Sequence, residues 1–415
     1  MSSRAPVLVA LLSLPACASP PSVAPADATV DRPLIDASRD AAPDRVPVDA
    51  CGCVHGRVCV AGACDPAWLS VASAGAPARR TQFAMVWTGR EVIVWGGHDG
   101  DAPRADGARY DPTANRWTAM SAANAPAARE GAVAVWTGRD VVIWGGRGAL
   151  GALGDGARYD PATDRWQRVN ATGAPSPRAF AAGVWTGTEL LVWGGLGDDG
   201  SRNDGAAYDP TADRWRALSA IDAPVRRANA VSVWTGTELV VFGGFGDDGF
   251  RGDGGRYDPA TGRWRALATA GAPQPRSRAV GVWTGREVFV WGGFDDLGVL
   301  PTDGGLYDPA SDRWRPVSRV GAPSPRSDSV AVWTGAEVVF WGGAGIDRPG
   351  PFPNPVPAPG GGRYRPDADR WTPLDDLGAP SPRFGHGSVW TGDELVVWGG
   401  EGAIGTLQSG ARFAP

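Results

Sequence analysis

The feature that most constrains this 415-residue chain is an internal repeat. Val-Trp-Thr-Gly recurs with its tryptophan at Trp87, Trp136, Trp185, Trp234, Trp283, Trp333 and Trp390, in steps of 49, 49, 49, 49, 50 and 57 residues. An aromatic-Gly-Gly triplet follows each, led by Trp95, Trp144, Trp193, Phe242, Trp291, Trp341 and Trp398. An aromatic-x-Pro turn comes next, led by Tyr110, Tyr159, Tyr208, Tyr257, Tyr307, Tyr364 and Phe413, and a further tryptophan closes the unit. Such units cannot bury their apolar faces alone, so they must stack on one another.

Each unit reads as four short strands. Gly131–Val135 alternates small and β-branched residues, as an innermost strand at a crowded axis should. Thr137-Gly138 makes a tight hairpin, Asp140–Trp144 forms a second strand, and Gly145-Gly146 ends it where the backbone must turn without a side chain. Tyr159 falls on the third strand and Trp166 on the fourth, with an Asp-Pro turn between. The chain stops after three strands of the last unit, whereas Trp68 near the start has a fourth-strand tryptophan and no unit before it. Trp68 to Arg80 is 12 residues, the same as Trp117 to Arg129. The first strand is therefore expected to complete the last sheet, removing two exposed edges.

From Pro66 to Pro415 this pattern resembles the Kelch repeat, as in the central domain of galactose oxidases. The resemblance implies an all-β, seven-bladed propeller. Phe242, Arg365 and Phe413-Ala414 depart from the family pattern without breaking a blade. The chain lacks the copper-ligand set of the galactose oxidases, so the resemblance implies no cofactor and no metal.

The residues before the repeat belong to other classes. Arg4 and the apolar run Ala5–Leu14 read as a targeting segment too short to span a bilayer. Leu14-Pro15-Ala16-Cys17 resembles a bacterial lipobox, which makes residues 1–17 a lipoprotein signal and Cys17 the lipidation site; cleavage near Ala16 with an incidental Cys17 is the alternative. Residues 18–50, rich in Pro, Ala and Asp, read as a disordered tether. Residues 51–64 hold Cys51, Cys53, Cys59 and Cys64, expected as two disulfides in an oxidising compartment, with zinc binding beside His55 as the rival. The expected location is exported and lipid-anchored at the cell envelope, on the outer membrane or its periplasmic side, and otherwise secreted.

A net charge of -5 with no lysine gives no footprint for nucleic acid. All 20 tryptophans fall at repeat positions, so their expected role is packing between blades, not stacking on sugars. Walker, His-Glu-x-x-His and Gly-x-Ser-x-Gly motifs are absent, and no catalytic residue is assigned. Outside repeat positions only His98, His386, Glu130 and Glu401 stand as titratable candidates, and a deep pocket around them would favour an enzyme. Gly197-Asp198-Asp199-Gly200 lacks the oxygen spacing of calcium loops.

One face stands out. Arg80, Arg129, Arg178, Arg227, Arg276, Arg326 and Arg383 each precede a first-strand tryptophan by seven residues and are expected to ring the channel mouth as ligand contacts. The alternative is that each bonds carbonyls of the next blade. Loops joining second to third strands open on the same side and carry Asp198, Asp199, Asp247, Asp248, Asp295, Asp296, Phe245, Phe250, Phe294 and Phe352. The sixth unit has an insertion with alternating prolines from Pro349 to Pro359, expected to project stiffly without forming strands, with Phe352 at the ligand surface. The leading expectation is a monomeric, non-enzymatic propeller binding a protein, peptide or glycan at the envelope. A glycan-active enzyme (sugar isomerase, oxidase or sialidase-like) and a structural surface spacer are the alternatives.

Overall fold

Seven four-stranded antiparallel sheets account for the repeats, and every regular element among the described residues is a strand. The computed structural model describes residues 57–60, 63–66, 68–295, 298–347 and 354–415, and of 57–66 the backbone alone. In each sheet, or blade, the strands are lettered A to D in chain order. Blade 2 is built of Val133–Trp136, Val141–Trp144, Gly156–Asp160 and Arg165–Arg168, hydrogen-bonded in that order. Neighbouring A strands touch all the way round, so they form the innermost ring. The last blade takes its D strand from the start of the chain, with Trp68 opposite Phe413 and Ser70 opposite Ala411.

Core packing lies between blades. The alternating side chains of strands A and B feed two interfaces at once: Ile143 packs toward blade 1 and Val142 toward blade 3. Seven such cores result, each spanning two neighbours. The aromatic residues add directional bonds. Every D-strand tryptophan donates its indole N–H to a carbonyl of the preceding blade, as Trp117 does to Ala72 at 2.8 Å and Trp68 to Asp375 at 3.0 Å. Tyr159 donates to Asp164, whose carboxylate also accepts from the Ser121 amide of blade 1. Each blade is thus tied to its neighbour by an apolar core and by buried hydrogen bonds.

The Gly-Gly doublet marks where the next blade's chain crosses. Gly97 has φ of 90° and donates its amide to the Arg129 carbonyl at 2.8 Å. A Cβ there would stand 2.5 Å from the Thr81 oxygen, so only glycine fits.

The proline-rich insertion differs from expectation. Ala344–Ile346 pairs with Pro355–Pro357 as an antiparallel hairpin, Gly345 opposite Val356. Asp347 donates to the Asn354 carbonyl and Ala358 to that of Gly343, which leaves Pro355 and Pro357 at the wide, non-hydrogen-bonded pairs between. Alternation with period two matches the ladder, so the missing N–H groups fall where none is used. Phe352 and Asp296 lie outside the described residues, as do Cys17, Cys51 and Cys53. Arg57–Val60 and Ala63–Pro66 form a separate hairpin whose register sets Cys59 opposite Cys64.

Candidate functional site

The D–A loops and B–C loops emerge at the same strand ends, and the seven arginines begin there. They do not face the channel as ligand contacts: their exposures are between 0 and 3%. Arg129 shows why. Its guanidinium donates to the carbonyls of Ala127, Gly145 and Asp155 at 2.8, 2.9 and 2.9 Å, and to the Asp155 carboxylate at 2.9 Å. Its backbone N–H meanwhile donates to the Arg104 carbonyl of blade 1. The side chain therefore bonds its own blade, not the next one, while the backbone holds the preceding blade. Arg80, Arg178, Arg227 and Arg276 repeat the pattern with Asp106, Asp204, Asp253 and Asp303. In the last two blades the carboxylate is missing: Arg326 bonds the carbonyls of Pro359 and Gly360, and Arg383 bonds Ser409. Burial lowers both guanidinium pKa values to about 10.

Two residues beyond each arginine lies a second ring, at the channel mouth, whose Gln82, Asn229, Arg278 and Asp328 are themselves largely buried. Gln82, Gly131, Phe180, Asn229, Arg278, Asp328 and Gly385 all have φ between 51° and 59°, the left-handed region. Each amide from Gly131 to Gly385 donates to the carbonyl of the preceding member, at 2.9 to 3.4 Å, and the Thr81 hydroxyl closes the circle on Gly385 at 2.8 Å. Left-handed φ is what lets the backbone close this hydrogen-bonded ring, and it costs non-glycine residues about 1–3 kcal/mol. Five of the seven are nonetheless not glycine, and no two of those five are alike.

Together with strand A, five of them (Gln82, Gly131, Phe180, Arg278 and Asp328) line a cavity of ≈ 70 Å³ at the channel mouth. Roughly 10–15 Å³ holds one water, so the space suits a single side chain and not a large ligand. The Phe180 ring lies over Gly131, where a Cβ would come within 2.4 Å of it. Arg278 Nη1 stands 3.9 Å from Asp328 Oδ2, which also accepts from the Ser327 hydroxyl. Asn229 Oδ1, Arg278 Nε and Asp328 Oδ1 have no partner among the described residues. Burial pushes the Asp328 carboxyl up to about 6 against the pull of Arg278, and lowers the Arg278 guanidinium to about 10.

Two overlapping stretches, residues 64–244 and 158–343, match the KLHDC2/KLHL20/DRC7 Kelch-repeats domain. The chain belongs to the Kelch-repeat family. No curated protein matches it.

Outside the mouth the Kelch propeller carries a second variable ring. The residue after each arginine pairs with the residue after each Gly-Gly doublet: Thr81 with His98, Glu130 with Arg147, Ala179 with Leu196, Ala228 with Phe245, Ser277 with Phe294, Ser327 with Ala344 and Phe384 with Glu401. The face is consequently uneven. Glu401, His98, Glu130 and Arg147 make a charged sector on blades 7, 1 and 2. Burial raises the carboxyl pKa of Glu130 and of Glu401, with His98 and Arg147 opposing the shift at Glu130. None of these residues lines the mouth cavity, and neither does His386, which is buried against Trp341 at 5.1 Å. Blades 4 and 5 present Phe245, Phe250 and Phe294 instead, Phe250 edge-on to Phe294 at 5.0 Å and Arg278 stacked on Phe294 at 4.7 Å.

The loop tips complete the face. Asp198 accepts from the Ala152 amide of the neighbouring tip and pairs with Arg147, and Asp199 and Asp248 pair with Arg202 and Arg251. Among the described residues all the exposed large hydrophobics, Leu150, Ile221, Val225, Val299, Val320, Val356, Leu377 and Ile404, fall in B–C or D–A loops. Leu150 and Ile404 are 103% and 99% exposed. The mouth ring carries little signal in the sequence beyond Gly131 and Gly385, because the residues on either side of it vary as well.

Proposed function

We propose that this Kelch propeller is a non-enzymatic protein-binding scaffold held at a bacterial cell envelope, and that it binds through the B–C and D–A loop face. The carrying observation is the mouth ring: residues of unlike chemistry held in a strained backbone conformation around a cavity that takes one side chain. Strain retained at such a position is the mark of use, since glycine at all seven would be more stable. The aromatic wall of Phe245, Phe250 and Phe294 and the exposed Leu150 and Ile404 supply the apolar anchors an interface favours. Kelch propellers are commonly protein-binding scaffolds, which supports the class of partner.

The anchoring half of the reading rests on the lipobox-like Leu14–Cys17 and on the Pro-rich residues 18–50, long enough to stand the propeller off a membrane. Mass spectrometry of the mature N-terminus should find acylated Cys17; an unmodified start near Ala16 overturns it. For the binding half, a photo-crosslinking residue at position 150, 294 or 404 should trap protein adducts in envelope preparations, and the same residue at position 336 or 393, exposed on the opposite face, should not. Equal trapping on both faces would remove the proposed surface.

A further inference from the structure

The opposite face, formed by the A–B and C–D hairpins, repeats one ion pair with a single exception. The acid after each Thr-Gly hairpin meets an arginine from strand C or strand D: Glu91 with Arg109, Glu189 with Arg216, Glu238 with Arg256, Glu287 with Arg315, Glu337 with Arg363 and Glu394 with Arg412. In blade 2 the pair is not made. The acid is Asp140, one methylene shorter; Arg158 on strand C donates to the Pro210 carbonyl of blade 3, as Arg109, Arg256 and Arg412 do to Pro161, Pro309 and Pro112, but unlike them it makes no ion pair within 4 Å of its own blade's acid. Gln167 stands where blade 3 has Arg216. Within 4.0 Å Asp140 meets Arg139, which is largely in solvent, while Arg158 acts on it from farther away.

Beside this gap runs a groove of ≈ 1060 Å³ between blades 2 and 3, at the upper end of the roughly 300–1,000 Å³ of small-molecule sites. Its walls carry Arg139, Arg158 and Arg165 against Asp140, Asp160, Glu189 and Asp209, near balance of charge. Neither an anion nor a cation is selected by such a lining. Donors and acceptors are instead interleaved, and the partly buried Trp185 indole adds one apolar surface. Glu189 is held in place by two bonds from Arg216, at 2.9 and 2.6 Å, so that wall is rigid. A ligand rich in hydroxyls that both donate and accept, with an apolar C–H face for the indole, matches every part of it.

We infer that the groove between blades 2 and 3 binds an oligosaccharide, with Asp140, Arg158 and Gln167 contacting hydroxyls. A sugar ring covers the part of the Trp185 indole that its packing on the core leaves open, a use beyond the packing role expected of the tryptophans. The site is on the face opposite the proposed protein-binding surface and stands independently of it. The missing ion pair offers a direct test, because restoring it should fill the groove without harming the fold. Tryptophan fluorescence of the full chain is titrated with cellohexaose, maltohexaose and chitohexaose. At least one should give a saturable change, and Asp140→Glu, which rebuilds the pair with Arg158, should weaken it about tenfold or more with the melting temperature unchanged or raised. Gln167→Arg, which rebuilds the strand-D version, should do the same and carries the test if Asp140→Glu lowers the melting temperature. No saturable response to any of the three sugars, or equal affinity in both variants, overturns the assignment.

Discussion

Two positions in the same loop, two residues apart, behave in opposite ways. The arginine is identical in all seven blades, buried, and spends its guanidinium on its own blade's backbone. The residue two beyond it is held by the same kind of backbone bond and yet is Gln, Gly, Phe, Asn, Arg, Asp and Gly in turn. Identity at the first position follows from a uniform task, tying the start of strand A to the Gly-Gly turn and the start of strand C of the same blade. Diversity at the second, kept despite left-handed strain, means that the side chains there do not serve the fold. Uniform positions in a near-exact repeat report assembly, and varied positions at a strained site report use.

Breaking the frame should have the largest effect. Removing residues 1–70 deletes the D strand of the last blade and empties the Trp68 site between Trp341 and Phe413. A loss of about 3–5 kcal/mol on chemical denaturation is expected for the missing tryptophan alone, with aggregation from the bared edge. Unchanged stability would contradict the closure.

Arginines within the clasp should then separate into two kinds. Arg276→Met leaves three carbonyls and the partly buried Asp303 carboxylate without their donor, and about 3–5 kcal/mol of destabilisation is expected. Arg383→Met leaves only carbonyls and the Ser381 and Ser409 hydroxyls, so its cost should be smaller by about 1–2 kcal/mol. Equal urea midpoints for the two variants would show that the carboxylate adds nothing.

Asp328→Asn sharpens the contrast from the side of the mouth. With a folded pKa of about 6 against 3.8, the carboxyl favours folding in its protonated form. Its contribution is present below pH ~4 and is lost as pH rises through about 6, so at neutral pH the buried charge opposes folding. Asparagine, which also tolerates left-handed φ, should raise stability at pH 7 by on the order of 2 kcal/mol, and the gain should vanish by about pH 4. A gain independent of pH would mean that Asp328 is not the titrating group.

The frame was legible in the sequence because it is repetitive: the Gly-Gly doublets, the Trp and Tyr positions and the strand count all recur, and the placement of Trp68 follows from spacing alone. The arginines were legible as a ring, and carbonyl bonding is among the readings that the ring allows; what spacing does not give is that the carbonyls, those of Gly145 and Asp155 for Arg129, belong to the arginine's own blade and not to the next. The mouth ring was hidden by its own diversity, although Gly131 and Gly385 hinted at a left-handed position. The proline hairpin is not legible because alternating proline signals stiffness, and its match to the ladder depends on a partner strand, Ala344–Ile346, that the spacing does not announce.

The central claim, that adjacent positions of one loop divide between assembly and use, is tested most directly by comparing Arg129→Met with Phe180→Gly in one urea denaturation experiment. Arg129 is buried and fully bonded, so its loss should cost about 3–5 kcal/mol. At Phe180 relief of the left-handed φ of 54° offsets the lost burial of a half-exposed ring, and the change should stay within about 1 kcal/mol. Comparable losses at the two positions would contradict the account.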